Sequence, residues 1–196
     1  MAYIVKTSTM KIHCPIMEQR PNIANVAYYG VPSDSLYLYH LGRGEKLPDE
    51  IVQMSSHDSL PDFIVNANSW IVSEAFRKVL NQVGQGKNEF LPVPVYGKNG
   101  APSDQEYYLL DVREIRQAIN FDQSRGRWDE SYGVRSFEPE FPYYLPINPD
   151  VVNGVHLWRE PKFVYDWIFF SDELVAAVER AKLKRLRYEA LHLFAI

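Results

Sequence analysis

Ile71-Val-Ser-Glu-Ala-Phe-Arg-Lys-Val-Leu80 and Phe169-Phe-Ser-Asp-Glu-Leu-Val-Ala-Ala-Val178 repeat one pattern at an offset of 98 residues, from Ser73 to Ser171. In each copy two apolar residues precede a serine, and an acidic residue, Glu74 or Asp172, follows it. The stripe Phe76, Val79, Leu80 answers Leu174, Ala177, Val178 at helical spacing, and farther on Phe90 falls opposite Tyr188. Each copy therefore predicts an apolar strand end, a serine cap whose hydroxyl takes up a free helix N–H, and an acidic first turn beside the positive helix end. An amphipathic helix and a return strand follow. Neither copy contains an obvious reacting group, which turns the search for function away from catalysis.

Outward from the repeat, the chain reads as strands separated by turns. Residues 2–13 open with a loosely alternating strand, and residues 23–31 and 35–41, rich in Val, Tyr and Leu, predict two more across Val-Pro-Ser-Asp-Ser. An extended piece is expected near 50–54. Helix 73–83 runs into Gly84, with Gly86 nearby, as a left-handed cap would. Phe90-Leu-Pro-Val-Pro-Val-Tyr96 is an extended return whose prolines cannot donate to a ladder, so it is an edge strand or an irregular one. Tyr107–Val112 predicts a strand, and Val112, Ile115 and Ile119 suggest a short helix over 112–119. Residues 121–150 change character: charged, aromatic and turn-rich, with Pro139, Pro142, Pro146 and Pro149 ruling out a regular helix or central strand. A long connection without clear structure, functional or disordered, is expected there. Strands near 155–158 and 163–170, a helix over 172–182 and a closing strand within 186–193 complete the chain. The fold class expected is α+β: a single domain over 1–196, mostly antiparallel strands, a few amphipathic helices and the internal strand–helix–strand repeat.

Bulk properties set the bounds. The 196 residues, 46% hydrophobic and 23% charged, suffice to bury roughly seven-tenths of the open chain's surface without staples. A formal charge of −4 speaks against nucleic acid as a partner. Cys14 is the only cysteine, so no internal disulfide forms and a reducing compartment fits. No signal peptide and no run of about 20 apolar residues is present, so a cytoplasmic protein that does not enter membranes is expected.

The candidate chemistry is sparse. His13, His40, His57, His156 and His192 show no metal-binding spacing, and neither a metal nor any other cofactor is expected. Ser73 and Ser171 lack a nucleophile elbow and read as structural helix caps. The basic run Arg180–Arg187 closes a helix that begins with acids, which suits the helix dipole better than a phosphate site. Arg125, Arg127, Trp128, Asp129, Glu130 and Tyr132, in contrast, are the residue types that anchor protein interfaces. They are the expected binding residues, whereas Phe137 and Phe141 are expected to fold back onto the core.

The series Leu60-Pro-Asp-Phe63, Ile71-Val-Ser73, Glu89-Phe-Leu-Pro92, Tyr107-Tyr-Leu-Leu110, Ile168-Phe-Phe-Ser171 and Leu186-Arg-Tyr188 resembles a bacterial family of immunity proteins from polymorphic toxin systems. The resemblance spans about residues 60–191, with 121–150 as a variable loop. It implies a non-enzymatic protein that binds and neutralises a cognate toxin domain in the cytoplasm. It brings no catalytic residues with it. Two alternatives follow from the residues: an enzyme using Cys14 or a cleft between the repeat units, and an adaptor for a non-toxin protein.

Overall fold

A computed structural model describes residues 2–6, 51–52, 60–66, 69–96, 102–129, 136–140, 144–162, 168–184 and 186–191. Its strands and helices in chain order are β1 (Ala2–Lys6), β2 (Ile51–Val52), β3 (Phe63–Asn66), β4 (Ser69–Ser73), α1 (Glu74–Val83), β5 (Glu89–Val93) and β6 (Val95–Tyr96). They continue as β7 (Tyr107–Asp111), β8 (Gly126–Asp129), β9 (Ser136–Pro139), β10 (Leu157–Arg159), β11 (Ile168–Ser171), α2 (Asp172–Arg180) and β12 (Arg187–Leu191). The strands expected over 23–31 and 35–41, together with Cys14, lie outside the described residues.

The sequence repeat is a repeat of topology. One four-stranded sheet has the order β3-β4-β7-β5 and the other β10-β11-β1-β12. In both, the strands flanking the helix run parallel to each other, with one antiparallel strand between them. The registers coincide as well. Ser73 and Val93 both face Tyr107 of the middle strand, while Ser171 and Leu191, each 98 residues later, both face Ala2. The outer strands agree too, since Phe63 faces Val72 as Leu157 faces Phe170. Only the source of the middle strand differs. In the first unit it follows the return strand, and in the second it is the N-terminal segment.

Burial explains why the strands before the helices are apolar without alternation. A strand covered on both faces needs apolar residues on both. Trp70, Val72, Ile168 and Phe170 point into a core shared with Phe76, Leu80, Leu174 and Val178 of the two helices. Ile71 and Leu109 face an outer cluster with Ile64, Val93 and Tyr107. Phe169, Trp158 and Leu191 face a corresponding one with Ile119, Phe137, Leu145 and Ile147. The helical stripes Phe76, Val79, Leu80 and Leu174, Ala177, Val178 are buried throughout.

Three expectations are corrected. Residues 112–119 are extended, with bridges from Ile115 to Arg159 and from Ile119 to Ile147. Their N–H groups have better partners than a helix offers: Glu114 N–H donates to the Asn88 side chain, and Ala118 and Ile119 N–H donate to the Glu160 carboxylate. Gly84 ends α1 without a left-handed turn, at φ 131° and ψ 105°, its N–H bonded to Leu80 O. Glycine is favoured there because L side chains rarely adopt this positive φ, and a Cβ would also stand a tight 3.1 Å from the His156 ring. Finally, the 121–150 stretch holds a regular ladder, β8 with β9, and Pro139 closes it opposite Gly126. The edge placement of the proline-bearing β5 is observed, as is the burial of Phe137. Phe141 lies outside the described residues.

Candidate functional site

The β8–β9 ladder decides how the expected binding residues are held. It sets Arg127 opposite Glu138 and Trp128 opposite Phe137. The Arg127 guanidinium grips the Glu138 carboxylate through Nε and Nη2, each 2.6 Å from Oε2. Its side chain remains 79% exposed, so the ion pair shapes the surface and adds little stability. Trp128 is half-buried. Its ring packs edge-on at 5.4 Å from Phe137 and lies 5.2 Å from Phe121, which is itself 4.9 Å from Phe137. The ladder can close this tightly because residue 126 is glycine, where a Cβ would meet Glu138 O at 2.3 Å.

Arg125, just before the ladder, holds its guanidinium 5.7 Å from the Tyr144 ring, and its backbone bonds to Tyr144 and Glu140. Asp129 ends β8, partly buried. The structure thus holds Arg127, Trp128 and Asp129 on β8, with Arg125 directly before it. Glu130 and Tyr132 lie outside the described residues. Trp128 lends part of its ring to the fold, so it is more than a surface anchor.

The two cap serines are tied more deeply than their sequence suggests. Ser73 Oγ accepts from Phe76 N–H at 3.2 Å and donates to Asp62 Oδ1 at 2.7 Å. Ser171 Oγ accepts from Leu174 N–H at 3.2 Å and meets His156 Nδ1 at 3.0 Å. Backbone bonds match as well, from Ser73 N–H to Asp62 O and from Ser171 N–H to His156 O, both 3.0 Å. Asp62 and His156 are therefore equivalent positions of the two units. The signal for them in sequence is slight: a polar residue followed by Phe63-Ile64 in one case and by Leu157-Trp158 in the other.

Sequence reasoning also missed Glu160. It is 4% exposed and accepts the Ala118 and Ile119 N–H groups at 2.8 and 3.1 Å. Burial outweighs these bonds and pushes its carboxyl up to about 7. An unfolded chain restores a pKa near 4.5, so between those values the folded state holds a proton that the unfolded state releases. The contribution of Glu160 to stability is then fully present below pH 4.5 and falls by an amount on the order of 3 kcal/mol as pH rises to about 7. Urea midpoints at a series of pH values check this: Glu160→Gln should remove that slope.

Among the described residues, no group of three His, Cys, Asp or Glu side chains converges as for a metal ion. Nor is any helix long and apolar enough to cross a membrane. Residues 4–192 match the model of an immunity protein family, Imm11. No curated protein matches the chain.

Proposed function

The chain belongs to the Imm11 immunity protein family, and from that premise we propose that it binds a cognate bacterial toxin domain in the cytoplasm and neutralises it without catalysis. The observation that carries this reading is the extent of the family match, which covers both repeat units and the β8–β9 ladder. The interface proposed includes Arg125, Arg127, Trp128 and Asp129, extending to Glu130 and Tyr132. Such a role demands tight binding, because a few free toxin molecules suffice to kill. A standard interface of roughly 1,600 Å² with a few aromatic and arginine anchors is enough to supply it.

Co-expression with the product of the neighbouring upstream gene, followed by pull-down and a growth test, examines the reading directly. A stable complex that restores growth supports it, and a poisoned cell with no complex overturns it. Within a complex, Arg127→Ala should weaken binding about tenfold or more while leaving the melting temperature unchanged. Trp128→Ala should weaken binding and also cost about 2 kcal/mol of stability, since its ring closes over Phe121 and Phe137.

A further inference from the structure

Where β5 ends and β7 begins, the surface opens into a groove of about 420 Å³. Its walls include Pro92, Pro94, Pro102, Asp104, Glu106 and Tyr108. The prolines and both carboxylate residues are exposed. No lysine or arginine lines it among the described residues. The Tyr108 hydroxyl donates to Glu106 Oε2 at 3.1 Å, which fixes that carboxylate beside the ring. The groove floor is rigid. Val93 and Tyr107 are paired across the ladder and buried, and Ser103 N–H is bonded to Val95 O at 2.8 Å.

We propose that this groove receives a lysine- or arginine-bearing segment of the cognate toxin; the assignment rests on the toxin-binding function proposed above. Charge complementarity selects the occupant. Two exposed carboxylates, with no lining lysine or arginine among the described residues, attract a cationic side chain and raise its rate of encounter. The Tyr108 ring already carries a cation of the protein's own, the Arg77 guanidinium 4.7 Å from its centroid, so the incoming side chain is held by the two carboxylates. Arg77 is held by Glu74 at 2.5 and 2.8 Å, a carboxylate that Lys78 also approaches at 3.7 Å, so the groove's own carboxylates, Asp104 and Glu106, are the ones that face an incoming cation. Three prolines lose little freedom when covered, which keeps the cost of ordering this surface low. The edge of β5 cannot simply be extended by a partner strand, because Pro92 has no N–H. The toxin segment is therefore held by its side chains.

The test is titration of the full-length protein with the toxin domain encoded beside its gene. Three forms are compared: the unaltered protein, the pair Asp104→Lys with Glu106→Lys, and the milder pair Asp104→Asn with Glu106→Gln. The groove assignment expects about 100-fold weaker binding for the charge reversal and about tenfold for the neutral pair, with unchanged melting temperatures. It also expects that raising salt from about 50 to about 300 mM weakens binding by the unaltered protein more than by the neutral pair. Unchanged affinity in both pairs overturns the groove and leaves the toxin-binding function standing. No binding by the unaltered protein overturns both. A self-associating protein that becomes monomeric in the charge-reversed pair would show that a second copy occupies the groove, and would overturn the assignment.

Discussion

Replacing Phe170 with alanine is expected to lower stability by about 4 kcal/mol, the range for deleting a fully buried aromatic ring. Phe170 is fully buried. It lies 5.8 Å from Phe76 and 6.2 Å, edge-on, from Phe63, while Phe63 meets Phe76 edge-on at 5.2 Å. Phe170 belongs to the second repeat unit, and both of its ring partners belong to the first. The cavity left by the mutation therefore opens at the joint between the units, where neither sheet can collapse to fill it. Urea unfolding followed by tryptophan fluorescence and by circular dichroism should give one transition in both probes, shifted to lower urea. Hydrogen exchange adds the decisive detail. Amides of β4 and β11 should lose protection together, because the core that shields them is common. Loss confined to β11 would mean that the two units unfold separately, against the single domain expected from the sequence.

What the sequence makes legible is what local chemistry dictates. Ser73 and Ser171 cap helices because a serine followed by an acid and an apolar stripe has few other uses. The proline-bearing β5 lies at an edge because Pro92 cannot donate to a ladder. The 112–119 segment misleads because helical spacing at Val112, Ile115 and Ile119 is equally compatible with an extended path in which alternate contacts decide. Ile115 is 49% exposed, whereas Val112 and Ile119 are buried against different clusters. Its conformation is set by Asn88 and Glu160, acceptors some 26 to 42 residues away, and no local window contains them. The β8–β9 ladder is hidden for a related reason. Pro139 and Gly126 argue against a strand singly but face each other at its end. In the candidate interface, residue types announce a binding surface, yet only the packing shows that Trp128 serves the fold as well. The repeat itself is visible as ten residues, while its tertiary extent, with β1 standing in for β7, requires the sheet order.

Asp62→Ala should cost about 3–4 kcal/mol, more than the loss of an ordinary helix cap. The carboxylate is 8% exposed and serves three donors: the Ser73 hydroxyl at 2.7 Å, Lys184 N–H at 2.6 Å and Gln105 Nε2 at 3.2 Å. Lys184 follows α2, so this one side chain ties the start of the first unit's helix to the end of the second's. Alanine leaves the Lys184 N–H without its charged acceptor and frees the Ser73 hydroxyl to turn away. Asparagine keeps one acceptor oxygen but presents N–H groups in place of the other, and should recover about half of the loss. The equivalent substitution, His156→Ala, removes a partner from the half-buried Ser171 and should cost only about 1 kcal/mol. A double-mutant cycle between Asp62→Ala and Ser73→Ala separates a shared network from two independent contacts. If the cap serine works only while Asp62 orients it, Ser73→Ala should lose at least about 1 kcal/mol of its effect in the Asp62→Ala background. Additive losses would mean that the hydroxyl caps α1 unaided, and that Asp62 stabilises the fold through its bond to Lys184 instead.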